Sequence, residues 1–255
     1  MKRNRAFTLI EVLITLLILG ILGVAFVRIL GTTLHATGRI NAENELLGEA
    51  QIAEQIIASK AMAAWYLYPP GTDVEFNGGA TTYNALAGSS TWTVGSDPIL
   101  AMILPPKEPG GGCTSGGPTE GCYRLLAYYA FPRSHYQASV GPTQQLQDDP
   151  RNDDTWVLME FRANLYGFVP DTTCSNIPVP DGSFSGLSGR LLVEYVQPET
   201  EAPNYTIFNV QPDGRVVLHL RMRKAIAGTT LKVPRASQPP LSLEVNARNF
   251  LVGCP

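Results

Sequence analysis

A single carboxylate interrupts the most hydrophobic stretch of the chain. Glu11 lies in the run from Phe7 to Val27, where Thr8 and Thr15 are the only other polar side chains. An ionised side chain at the centre of a bilayer costs about 2.5–3.5 kcal/mol on insertion scales. In a medium of low dielectric constant, an opposite charge offsets that cost when the two groups pair closely. The position of Glu11 therefore predicts a cationic partner.

The four cysteines predict disulfide chemistry. Cys113, Cys122, Cys174 and Cys254 all follow the hydrophobic run, in stretches rich in Gly, Pro or Ser, with no CxxC motif. An even number of cysteines outside a membrane segment is typical of two disulfides in an oxidising compartment rather than of a zinc site. Three pairings are open. We expect Cys113–Cys122, which closes a short glycine-rich loop, and Cys174–Cys254, with free buried thiols as the alternative.

A basic stripe occurs in the segment RVVLHLRMRK at 215–224. His219, Arg221 and Arg223 alternate with apolar residues, and Lys224 follows them. A cationic strand face of this kind is a candidate DNA contact. The alternative is the ordinary solvated face of an antiparallel strand.

Neither metal binding nor catalysis has a clear motif. The acidic run DDPRNDD at 148–154 carries hard oxygen ligands suited to calcium, but its spacing fits no EF-hand, so we expect a solvated loop. The three histidines have no motif partners, and GxSxG, HExxH and phosphate-binding GKS/T motifs do not occur. We expect a protein that is not an enzyme and holds no cofactor.

Composition and length indicate a globular protein with room for one sizeable domain plus appendages, or for two small domains. The 255 residues are 44% hydrophobic and 16% charged, with a formal net charge of −3. Loss of Lys2, Arg3 and Arg5 would bring that charge to −6. Such an acidic chain is poorly suited to general nucleic-acid binding, which requires a concentrated positive field.

The elements that position Glu11 begin with a membrane-length helix. The run from Phe7 to Val27 is long enough to cross a bilayer, and the preceding Lys and Arg residues predict a cytoplasmic N-terminus. A plain secretory signal peptide is the alternative. It fits less well because its apolar region normally has only about 7–15 residues.

Helical periodicity continues beyond the apolar run. Apolar residues recur at steps of three and four from Ile40 to Ala64, and no proline occurs before Pro69. We expect a hydrophobic helix at 7–34 and its amphipathic continuation at 35–68.

The remainder of the chain, 69–255, predicts a β-rich head. Strand-like runs occur at 91–94, 99–104, 122–131, 155–161, 190–196, 205–210, 215–222 and 241–250. QPDG at 211–214 is typical of a hairpin turn. The predicted fold is α+β, with the amphipathic half of the long helix packed on an antiparallel sheet.

The stretch RAFTLIEVLITLLILGILG resembles the N-terminus of type IV prepilins and of type II secretion pseudopilins. The resemblance implies that a prepilin peptidase removes 1–6 by cutting between Ala6 and Phe7, and that Phe7 is then N-methylated. Glu11 becomes the fifth mature residue, where this family nearly always has glutamate. Ala6 departs from the family's usual glycine before the cut.

Assembly partners follow from the same resemblance. It implies a single-pass inner-membrane subunit with its head outside the cytoplasm, which joins other major and minor pilins at an inner-membrane assembly platform. Glu11 would meet the Phe7 amine of a neighbouring subunit. The closing segment LSLEVNARNF is similar to that of large minor pilins, so we expect a minor, tip-associated pilus subunit.

Two other functions stay open at this point. One is a minor pseudopilin of type II secretion, and the other is a signal-anchored extracellular binding domain that does not polymerise. For a pilus, DNA uptake or adhesion are the expected outputs.

Overall fold

The computed structural model describes residues 9–77, 79–169, 189–202, 204–226, 228–235 and 237–246. The chain divides into two compact units, Met1–Glu45 and Leu46–Pro255. In the described residues the first unit is entirely helical, and the second unit contains the β-rich head.

The predicted long helix is present. Helix α1 (Leu9–Met62) has 54 residues and runs through Gly20, Gly23 and Gly31 without a break. In its C-terminal part, buried positions recur at steps of three and four: Leu46, Ala50, Ala53, Ile57 and Ala61. This stripe, mostly alanine, allows close packing in the second unit and confirms the amphipathic prediction.

The helix ends earlier than predicted. We expected it to continue to 68, but it stops at Met62, and Tyr66–Leu67 forms a short strand instead. Trp65 N–H donates to the Ile103 carbonyl at 2.8 Å, and Tyr66 pairs with Ile103. Aromatic residues fit a half-buried pleated surface, and here a strand edge supplies their backbone partners.

Antiparallel pairing connects the strands of the described residues into three sheets. In chain order the strands are β1 (Tyr66–Leu67), β2 (Asp73–Glu75), β3 (Thr91–Thr93), β4 (Ile99–Leu104), β5 (Tyr123–Pro132), β6 (Trp156–Leu165), β7 (Arg190–Val196), β8 (Phe208–Val210), β9 (Arg215–Leu220), β10 (Met222–Ile226), β11 (Thr229–Val233) and β12 (Leu241–Asn246). The largest sheet has the order β1-β4-β5-β6-β7-β10-β11, and the others are β12-β9-β8 and β2-β3. A short helix α2 (Arg133–Ser139) follows β5.

This architecture confirms the predicted α+β class, a long helix with an antiparallel β-sheet head. The hairpin prediction is also correct, since Val210 and Val216 pair across the QPDG turn.

Some strand predictions were wrong in their extent. The runs 155–161 and 205–210 correspond to the strands Trp156–Leu165 and Phe208–Val210. The run 215–222 divides at Arg221, because Leu220 pairs with Leu241 in the three-stranded sheet while Met222 pairs with Val196 in the large sheet.

The core lies around the central strands β4, β5 and β6. One face of the large sheet is covered by aromatic rings from the chain before β4. Phe76 lies 4.6 Å from Phe161 and Trp92 lies 4.9 Å from Tyr129, measured between ring centroids. Trp92 also donates its indole N–H to the Thr82 carbonyl at 2.9 Å. These contacts pack the chain before β4 closely against β5 and β6.

Candidate functional site

The exposed apolar surface of α1 is the most prominent feature of the first unit. From Leu9 to Glu45 no residue is buried, and large side chains such as Leu9, Phe26 and Ile29 are 65–79% exposed. A helix that is apolar on all sides requires lipid or other apolar helices around it. By length and composition, α1 is the one helix among the described residues that could cross a membrane.

Polar side chains in this helix are accommodated by the helix itself. The hydroxyl of Thr15 donates to the Glu11 carbonyl at 2.7 Å, and those of Thr32 and Thr33 both donate to Ile29 at 2.9 Å. Such bonds to preceding carbonyls satisfy hydroxyl groups without a partner from outside. Glu11 lies in the first turn of α1 that the structure describes.

The predicted cleavage site lies outside the residues that the structure describes. Ala6 and Phe7, the residues on which cleavage and N-methylation were predicted, fall outside the described residues. Their roles, and the pairing of Glu11 with an amine, stay predictions.

One predicted disulfide is present. Cys113 is joined to Cys122, and together they close the glycine-rich loop between β4 and β5. At the base of this loop a Cβ atom on Gly121 would overlap the Gly111 carbonyl, so the two backbone segments approach as only glycine permits. Cys174 and Cys254 lie outside the described residues.

The predicted DNA-contact residues are each engaged within the head. Arg223 forms ion pairs with Glu201 and, at 2.6 Å, with Asp154. Arg221 donates to the Gln238 carbonyl at 2.8 Å.

The other two members of the stripe also have neighbours. Lys224 lies 4.2 Å from the centre of the Tyr195 ring, a cation–π contact. The His219 imidazole Nδ1 lies 3.0 Å from the Thr206 carbonyl, to which it donates. The DNA contact stays a prediction, and carboxylates already compensate part of the basic charge on which it depends.

The acidic run is attached to the head by arginines. Arg133 is fully buried and donates to Asp153 at 2.9 Å and to the Gln147 carbonyl at 2.6 Å, with Glu194 at 3.5 Å. Asp154 pairs with Arg223. Within the described ranges, no three His, Cys, Asp or Glu side chains come together to form a group that could hold a metal ion.

Two charged residues of interest were missed by the sequence interpretation. Glu54 in α1 and Arg124 in β5 are both half-buried. Each has a buried side-chain atom, Oε1 of Glu54 and Nε of Arg124, without a hydrogen-bond partner among the described residues. Nothing in the linear pattern indicated them, because the burial of a charged side chain depends on which elements pack around it.

Comparison with known families bears on the N-terminal segment. Residues 1–27 match the family model described as the prokaryotic N-terminal methylation motif. No significant match was found among curated proteins or among solved structures. The matched motif is the signal motif of type IV prepilins and pseudopilins, which confirms the resemblance seen in the sequence.

The motif and the fold together support a pilin- or pseudopilin-like protein. The motif implies processing by a prepilin peptidase and assembly with other pilins. The exposed apolar helix fits membrane anchoring before assembly into a filament.

Proposed function

We propose that this chain, which carries the prepilin signal motif, is a minor pilin-like subunit of a type IV pilus. One observation carries the proposal. The motif at residues 1–27 overlaps the start of a 54-residue helix, Leu9–Met62, whose apolar N-terminal part is exposed on all sides. Such a surface can be buried in the membrane before assembly and among neighbouring helices afterwards.

Assembly would join two charges in an apolar environment. Cleavage between Ala6 and Phe7 creates a new α-amine on Phe7, which remains basic after methylation. The carboxylate of Glu11 on one subunit would pair with this amine on the next. Because the core between packed apolar helices has a low dielectric constant, the attraction is strong and depends on correct placement. Glu11 would therefore set the register of the subunit in the filament.

Before assembly, the subunit would span the inner membrane once. The basic residues before Phe7 favour a cytoplasmic N-terminus, which places the head on the other side. The Cys113–Cys122 disulfide supports this placement, since such bonds persist in oxidising compartments. The inner-membrane assembly platform would receive the processed chain from this position.

The head would act through contacts rather than catalysis, as a minor and tip-associated component that primes assembly. The segment LSLEVNARNF supports this role through its similarity to the corresponding segment of large minor pilins. DNA uptake or adhesion would be outputs of the complete filament. Arg223 is already paired with Glu201 and Asp154. DNA uptake through direct binding to the basic stripe is therefore less well supported than adhesion.

A minor pseudopilin of a type II secretion system is the second candidate. The matched motif supports it equally, because prepilins and pseudopilins share this signal. Co-purification would distinguish the two, since a pilus subunit remains with sheared extracellular filaments and a pseudopilin remains with the secretion machinery. An anchored domain that does not polymerise would appear in neither fraction.

Replacement of Glu11 tests the assembly mechanism. Glu11→Gln should leave membrane insertion and leader cleavage intact but lower incorporation into filaments about tenfold or more, because a loss of 1.4 kcal/mol corresponds to tenfold. Quantitative immunoblotting of sheared filaments against membranes measures this ratio. Glu45→Gln, which changes an exposed acid on the same helix, is the matched control and should incorporate like the wild type. Equal incorporation of both variants would count against the pairing.

A further inference from the structure

The sequence of the head contains one acceptor motif for N-linked glycans. Asn204, Tyr205 and Thr206 form an Asn-x-Thr triplet, and no other asparagine of the 255 residues is followed two positions later by Ser or Thr. Asn-x-Ser/Thr, with any middle residue except proline, is the sequence that receives N-linked glycans, on the surface of domains outside the cytoplasm. So short a motif is informative only where the fold exposes it, which makes its structural setting decisive.

The fold places this motif in an exposed turn. It lies between a 3₁₀ turn at Glu199–Glu201 and strand β8 (Phe208–Val210). Asn204 and Thr206 are exposed, whereas Tyr205 between them is buried. Asn204 has a φ of 63°, in the left-handed region that asparagine tolerates in turns. The two side chains that the motif requires are therefore both presented to solvent.

Hydrogen bonds to the buried middle residue hold this turn to the head. The Tyr205 hydroxyl accepts from the Arg221 backbone N–H at 3.1 Å and donates to the His219 carbonyl at 3.4 Å. The His219 backbone N–H donates to the Ile207 carbonyl at 2.8 Å. None of these bonds involves the side chain of Asn204, so that side chain can carry a large substituent without disturbing them.

We propose that Asn204 is a site of N-linked glycosylation, an inference that rests on the placement of the head outside the cytoplasm in the proposed function. The donor is an oligosaccharide joined through its anomeric carbon to a lipid diphosphate, and a membrane-bound transferase of the same cell catalyses the transfer. The amide nitrogen of Asn204 forms a bond to the anomeric carbon, and the bond from that carbon to the diphosphate oxygen breaks. The amide loses one proton, the lipid diphosphate leaves, and nothing is oxidised or reduced.

Mass spectrometry of the full-length protein from native membranes and filaments tests the site directly. After digestion, the peptide that contains Asn204 should carry an added oligosaccharide mass, and fragmentation should locate this mass on Asn204. Asn204→Gln and Thr206→Ala should each abolish the addition, whereas Thr206→Ser, which retains the hydroxyl, should keep it. An O-linked glycan on Thr206 would survive Asn204→Gln, so the loss in both variants identifies the N-linked motif.

Asn209→Gln is the matched control for the loss of an exposed amide. Asn209 is also exposed, but Gln211 stands where the motif requires Ser or Thr, and its Nε2 donates to the Asn209 Oδ1 at 2.6 Å. This variant should retain the glycan of the wild type. A native chain whose Asn204 peptide is wholly unmodified, or an added mass that persists in Asn204→Gln, would overturn the inference.

The N-terminal peptide in the same digest separates this inference from the proposed function. A chain that begins with N-methylated Phe7 but has an unmodified Asn204 refutes the glycosylation alone. A chain that begins at Met1 refutes the proposed function. In that case a glycan on Asn204 would still support the modification site, and an unmodified Asn204 would refute both.

Discussion

Glu54 is a residue whose burial makes the stability of the head depend on pH. It lies half-buried on the C-terminal half of α1, and its buried Oε1 has no hydrogen-bond partner in the part of the chain that the structure describes. Burial raises the pKa of this carboxyl to about 7 from 4.5. Between these two values the folded chain retains a proton that the unfolded chain has released. The contribution of Glu54 to stability is therefore greatest below pH 4.5 and decreases as pH rises to about 7.

The Glu54→Gln variant should remove this dependence. Above pH 7 the wild type bears the cost of a desolvated carboxylate, so the variant should have the higher thermal midpoint at pH 8. The difference should diminish steadily towards pH 4.5. Tryptophan fluorescence of the full-length chain in detergent micelles, followed during heating, measures both midpoints. Burial also raises the pKa of Glu194 and of Glu199, but both residues are present in both proteins and cancel in the difference.

Glu45→Gln, a change of an exposed acid on the same helix, controls for the loss of one charge and should show no such trend. A Glu54→Gln midpoint that stays parallel to the wild type from pH 5 to 8 would contradict the account.

At the scale of elements, the local sequence pattern predicted the bounds of strands whose own sequence favours the pairing that they make in the fold. β4 and β7 have the bounds that the sequence indicated, at 99–104 and 190–196. The end of α1 and the division at Arg221 were not predictable in this way. In both cases a distant strand edge decides the outcome, Ile103 for Tyr66 and Val196 for Met222. The hydrophobic periodicity of a segment does not indicate which distant strand will offer it an edge for pairing.

The residues of the candidate site show the same contrast between features set by local sequence and features set by distant packing. Glu11 and the Cys113–Cys122 pair were identifiable because short local sequence carries their signals. Arg124, Glu54 and the buried Arg133 were not, since only the register of β5 and the packing around these side chains determine whether each finds a partner.

The disulfide loop between β4 and β5 gives the prediction at this scale. Replacing both Cys113 and Cys122 by serine should lower the free energy of unfolding by about 2–3 kcal/mol, the chain-entropy value for a closed loop of about ten residues. Chemical denaturation followed by tryptophan fluorescence measures this change. Thr114→Ser, in the same loop, is the control and should stay within about 0.5 kcal/mol of the wild type. A double variant as stable as the control would show that the disulfide does not constrain the unfolded chain.

At the scale of the whole molecule, the two units have different requirements. The head contains its own core, with β4 and most of β5 and β6 buried. The apolar part of α1 has no buried residue within the subunit, so it depends on lipid or on other helices. A monomer of this protein in water therefore lacks the apolar surroundings that the N-terminal part of α1 requires. The motif at residues 1–27 implies processing by a prepilin peptidase and assembly with other pilins, and such an assembly would provide the missing environment.

The N-terminus of the mature protein tests this account most directly. Intact-mass analysis and N-terminal sequencing of the protein from native membranes would locate the cleavage site. The account predicts a chain that lacks Met1–Ala6 and begins with N-methylated Phe7. A chain that still begins at Met1, in cells whose prepilin peptidase is active on other substrates, would contradict it.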